Sequence, residues 1–170
     1  MRPGITILTI LCVCSLANAG ELTSAEKAAQ AFSYQNIRIG TTLNEFRRRF
    51  PSAFLNTLDK TSVTRKYVIL GGDRTVQVTS FRGKIYDICL LYNSDALSKI
   101  GGRSVLEKKL VNTFGRPNTS TGHVIVWEFP NIQRAVAGIF MDGYASITVF
   151  DTAVSKQVEA AKVEKLDLGF

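Results

Sequence analysis

The apolar positions of this chain change period several times, and each change marks an element. Residues 5–16 form a largely apolar run, too short to span a bilayer. From Leu43 the apolar residues recur as Leu43, Phe46 and Phe50, the stripe of a helix that Pro51 ends. Three strand-like runs follow at 64–70, 74–81 and 84–92, with Gly71-Gly72-Asp73 and Arg82-Gly83 as turns. The grammar then repeats. Val105 or Leu106, Leu110, Val111 and Phe114 make a second helical face, closed by Gly115 and Pro117. Runs at 122–129, 133–141 and 144–151 are the next three strands, turned by Pro130-Asn131 and Asp142-Gly143.

Flanking segments complete the pattern. Thr23 and Glu26 stand in capping-box relation before an alanine-rich helix with little apolar surface, expected to attach loosely. Residues 34–39 alternate weakly, as a short strand would. Val154, Val158 and Ala161 give a modest stripe to a C-terminal helix reaching about Leu166. Residues 52–63 carry no assignable signal. The expected fold class is α+β: two tandem helix-plus-three-strand repeats, an antiparallel sheet with helices packed on one face, and an additional C-terminal helix.

A constant offset of 60 supports the repeat, matching Tyr67 with Trp127, Val76 with Val136, Phe81 with Met141 and Gly83 with Gly143. The helices fit a slightly larger offset, Phe46 to Leu110 and Phe50 to Phe114. The expected organisation is a leading helix and linker at 20–36, a first repeat at 37–95, a second at 96–151 and a tail at 152–170.

The start of the chain sets its address. Arg2 precedes the apolar run, and Ala17-Asn18-Ala19 supplies the small-x-small pattern read by a signal peptidase. Residues 1–19 are therefore expected to be a cleaved export signal, and the mature chain to be periplasmic or secreted. No later apolar run is long enough for a transmembrane helix. Cys12 and Cys14 leave with the signal, so Cys89 has no intramolecular disulfide partner. Leu11 and Val13 precede those cysteines where a lipoprotein signal wants small residues. Loss of Arg2 leaves 20 basic against 14 acidic side chains, a net +6. That charge suits solubility and also anionic partners.

Both repeat helices open on G-x-[ST]-x-x-E: Gly40, Thr42, Glu45 and Gly102, Ser104, Glu107. The second closes on Phe114, Gly115 and Pro117. With three strands after each helix, residues 37–151 resemble the tandem helix-plus-meander repeat of β-lactamase inhibitor proteins. They are also similar to the small outer-membrane assembly lipoproteins of the SmpA/OmlA type. The resemblance implies an exported protein that binds other proteins rather than turning over a substrate. The lipoproteins' anchoring cysteine and the inhibitors' disulfides are absent here.

Chemistry-bearing residues are sparse. His123 has no cysteine or carboxylate cluster beside it, and no metal or cofactor is implied. A hydrolase would have to use Cys89 with His123, or Asp87, which interrupts an apolar strand. No phosphate-cradling glycine loop is present. Two sets of residues suit binding instead. Tyr67, Tyr86, Tyr92, Trp127 and Tyr144 fall on strands and would form an interface patch if they share the face away from the helices; otherwise they fill the core. Arg47, Arg48, Arg49, Lys108 and Lys109 lie on the two repeat helices and would form a basic stripe if those helices lie side by side. The expected function is a non-catalytic binding module of the envelope or extracellular space with a protein partner. The alternatives are an anionic envelope polymer or lipid surface bound through the basic helices, and a hydrolase. Nucleic acid is not an expected partner, since export removes it and the helices lack interleaved aromatics.

Overall fold

The structure, a computed structural model, describes residues 21–56, 63–71 and 74–167. The signal segment lies outside the described residues. Helices run at Ser24–Ala31 (α1), Leu43–Arg49 (α2), Ser94–Lys99 (α3), Gly102–Phe114 (α4) and Thr152–Asp167 (α5). Strands run at Phe54–Leu55 (β1), Thr64–Leu70 (β2), Thr75–Phe81 (β3), Lys84–Asn93 (β4), Thr119–Ser120 (β5), Val124–Phe129 (β6), Arg134–Met141 (β7) and Tyr144–Asp151 (β8). All eight form one antiparallel sheet in the order β1-β2-β3-β4-β8-β7-β6-β5. The α+β architecture is the one expected, and its order reads outward from β4 and β8 identically in both directions. Each half therefore consists of a helix followed by four strands. The extra strand in each half, β1 or β5, is a two-residue edge piece.

The halves are not register copies throughout. Trp127 faces Val136 across β6 and β7, but Tyr67 faces Val78, and Val76 faces Ile69. In register, Ile69 rather than Tyr67 is therefore the counterpart of Trp127. Between Thr79 and Ser80 the β3–β4 ladder slips, leaving Tyr86 as the extra residue of a bulge.

One sheet face carries the core. Phe46 of α2, Leu97 of α3 and Leu106, Leu110 and Phe114 of α4 pack over Val76, Ile88, Leu90, Val136, Phe140, Ile147 and Val149. Gly138 leaves room for the Phe140 ring, which a Cβ there would meet at 2.9 Å. Val105 and Val111, candidates for the buried stripe, point outward.

Start signals explain the helices unequally. Thr42 Oγ1 accepts the Glu45 N–H at 3.2 Å, and Leu43 N–H donates to Gly83 O at 2.8 Å, pinning α2 to the β3–β4 turn. The expected Ser104 cap is not used. α4 begins earlier, after Gly101 at φ 92°, and Glu107 accepts instead from Arg103 Nε at 2.6 Å. Residues 34–39 form a turn rather than a strand: Tyr34 and Ile37 bridge around Gln35 and Asn36, both at positive φ.

The leading helix is docked, not loose. α1 packs on α4 and β7, buries Ala29 and Glu26, and receives Asn131 Nδ2–H on Glu26 Oε1 at 2.9 Å. The Thr23 backbone N–H, Asn131 and the Thr23 hydroxyl hold the Glu26 carboxyl below the usual carboxylate range.

Candidate functional site

Alternation along the strands divides the five candidate aromatics. Tyr67, Tyr92 and Trp127 share the helix-side face and are buried in the core. Trp127 is 1% exposed, and its Nε1–H donates to Gly115 O at 2.8 Å. These three cannot belong to a solvent-facing patch, because the same face packs under α2 and α4. Tyr86 and Tyr144 lie elsewhere.

The second sheet face is covered at one end only. Cross-strand pairing puts Thr79, Asp87, Phe150, Ala135 and Glu128 in one row. Thr79, Ala135 and the nearby Phe81 are buried, as is Val158 of α5, yet none of them belongs to the helix-side core. α5 packs against β8 and closes this end. Burial beneath it pushes the Asp87 carboxyl up to about 6, against a hydrogen bond from Thr79 Oγ1 at 3.1 Å and the charge of Lys66. Burial, Asp87 and Glu159 of α5 push the Tyr86 hydroxyl up to about 12.

Two rows further along, the cover ends. Thr75, Leu91, Ser146, Ile139 and Val124 form one row, and Asn93, Tyr144 and Met141 the next. Leu91, Ile139 and Val124 are half-buried, Tyr144 is exposed, and Met141 is 58% exposed. Leu70 also reaches solvent at this end. The result is an apolar strip across the sheet with hydroxyl and amide groups among it.

A separate groove of about 680 Å³ opens at the β1 edge. Its rim carries Asn44, Arg47 and Arg48 from α2 and Arg65 from β2, and its floor Phe50, Pro51, Leu55 and Tyr67. Arg49 points into an ion pair with Glu45 at 3.1 Å. Among the described residues no carboxylate lies within ion-pair distance of Arg47, Arg48 or Arg65. Lys108 and Lys109 are exposed on α4, whose principal helix neighbours are α1 and α3, so the five predicted cations do not lie on two helices packed side by side.

The candidate hydrolytic groups are not brought together. Cys89 in β4 and His123 before β6 are three strand spacings apart, about 14 Å. His123 Nδ1 is occupied by Phe140 O at 3.1 Å. Cys89 faces Thr148, and burial raises its thiol above the ordinary range, away from the nucleophilic thiolate. Among the described residues no three His, Cys, Asp or Glu side chains cluster as a metal site, and no helix is long and apolar enough to cross a membrane.

Arg65 was not among the sequence candidates. The signal for it was present: it alternates with Tyr67 on one strand, so both share the face that α2 must cover. Leu91, Ile139 and Met141 were likewise legible only once strand pairing aligned them. No family model, curated protein or solved structure matches this chain.

Proposed function

We propose that this protein is an exported, non-catalytic binding module that engages a protein partner through the uncovered end of its sheet. One observation carries the reading: α5 covers the sheet's second face at the Asp87 end and leaves the Leu91–Ile139–Tyr144–Met141 strip open. A contiguous apolar strip that the molecule's own helix stops short of is the kind of surface a partner buries. The export signal expected at 1–19 and the resemblance to exported protein-binding repeats point the same way.

The test is retention of envelope proteins by the mature chain, at low and at high salt, compared with Ile139→Asp and Met141→Asp. A partner held at both salts by the wild type and lost by either variant supports the reading, since apolar contacts survive screening. A partner held equally by both variants, whose thermal melts match wild type, overturns it.

A further inference from the structure

The groove at the β1 edge is independent of the sheet-face reading. We infer that it is a binding site for a phosphate monoester carried on an apolar body. Three guanidinium groups from two elements, Arg47 and Arg48 on α2 and Arg65 on β2, face one space without a carboxylate partner among the described residues. Like charges gathered at one site repel, and an anion between them relieves that repulsion. Arg49, the neighbour that points elsewhere, is already neutralised by Glu45. The volume, about 680 Å³, lies in the range of small-molecule sites. Asn44 adds an amide to the rim.

The second half of the molecule serves as an internal control. There the longer α4 brings Phe114 to 5.7 Å from the Trp127 ring and 6.2 Å from Phe129, and Trp127 seals onto Gly115 O. Helix and outer strands meet through packed rings. The first half also seats Phe46 on Tyr67, ring centroids 5.4 Å apart, but leaves Phe50, Pro51 and Leu55 bordering an open space, with Leu55 47% exposed. A groove that joins three arginines without a carboxylate partner among the described residues to Phe50, Pro51 and Leu55 matches a ligand with both a charged head and an apolar body.

The head group follows from counting acceptors. A carboxylate offers two oxygens, which one arginine can occupy bidentately. A phosphate monoester offers three oxygens and close to two negative charges, enough for several guanidinium groups at once. Two sources share this chemistry: a soluble phosphate ester, and a phosphate-headed lipid in a bilayer.

Octyl phosphate, inorganic phosphate and octanoate, each titrated calorimetrically into the purified protein, test the site. Octyl phosphate should bind at least about tenfold more tightly than either of the others, and Arg48→Ala and Arg65→Ala should each weaken it by about tenfold or more. A Lys108→Ala/Lys109→Ala double variant should bind like wild type. Sedimentation with phosphatidylcholine vesicles containing phosphatidic acid separates the sources. Arg65-dependent vesicle binding assigns the lipid, and octyl phosphate binding without it assigns the soluble ester. The proposal fails if octyl phosphate shows no saturable binding, if the arginine variants bind like wild type, or if the lysine variant loses as much as they do. All four side chains are exposed, so none of these variants should disturb the fold.

Discussion

In the second half of the sheet, α4 runs for 13 residues and lays Phe114 on Trp127; in the first, α2 stops after 7, and its last turn is Arg47, Arg48 and Arg49. Both helices end near a proline, but α2 has no freedom at its start. The bonds from Leu43 to Gly83 and from Gly40 to Ile85 fix its first turn against the sheet, and Pro51 stops it soon after. α4 has the slack of Gly101 at its cap and Gly102 as its first residue and begins a turn earlier than its cap motif implies. The same order of elements thus yields a closed seam in one half and a groove in the other.

That contrast is most exposed by truncating one aromatic in each half. Trp127→Ala removes a ring that is 1% exposed, leaves a closed cavity and deletes the bond to Gly115, and should cost about 4 kcal/mol in urea unfolding. Tyr67→Ala removes a ring that packs 5.4 Å from Phe46 but borders the groove. Water can enter the space it leaves, so its loss should be about half as large. Equal losses would mean that the groove closes over Tyr67 in solution.

The next difference lies on the opposite face. Pairing about the Cys89–Thr148 contact sets Asp87 against Phe150 and Ser146 against Leu91, so Ser146 is the second half's counterpart of Asp87. One half therefore buries a carboxyl where the other buries a hydroxyl. Because the folded state raises the Asp87 pKa from 3.8 to about 6, the fold holds its proton more tightly than the unfolded chain does. Stability is then greatest below pH 4 as far as this group is concerned, falls as pH rises from about 4 to 6, and stays reduced above. The drop should be on the order of 2–3 kcal/mol. Asp87→Asn should flatten it, and the profile of unfolding free energy between pH 4 and 7 measures it. A variant that keeps the full slope would assign the titration to another group.

Much of this was legible in the chain. The periods of 3.6 and 2, the Gly-containing turns and Pro51 and Pro117 placed both repeat helices and all six long strands, because those signals are local. Facing was not legible, because Tyr67, Tyr92 and Trp127 sit on strands apolar on both sides; only pairing shows which side the helices cover. The two-residue strands β1 and β5 carry too few residues for any period. The Tyr86 bulge shifts the β3–β4 register without a glycine to announce it. Arg65 and the α2 arginines come from elements whose separation in sequence hides their meeting. The docking of α1 rests on Glu26 reaching Asn131, a contact 105 residues apart in the chain.

The smallest expected effect discriminates most sharply between motif and structure. Thr42 and Ser104 occupy the same place in the same G-x-[ST]-x-x-E pattern. Thr42 is the N-cap of α2, with φ −70° and ψ 147°, and its hydroxyl satisfies the Glu45 N–H. Thr42→Ala should cost about 1 kcal/mol. Ser104 lies inside α4, where no side chain caps the helix and Glu107 is engaged by Arg103. Ser104→Ala deletes no cap and exchanges a weaker helix former for the best one, so it should be neutral or stabilising by a few tenths of a kcal/mol. Urea midpoints at unchanged m-values read both. A loss of about 1 kcal/mol at Ser104 would place the start of α4 at residue 105. It would shorten that helix by a turn and bring the two halves closer to equivalence than the packing of Phe114 on Trp127 requires.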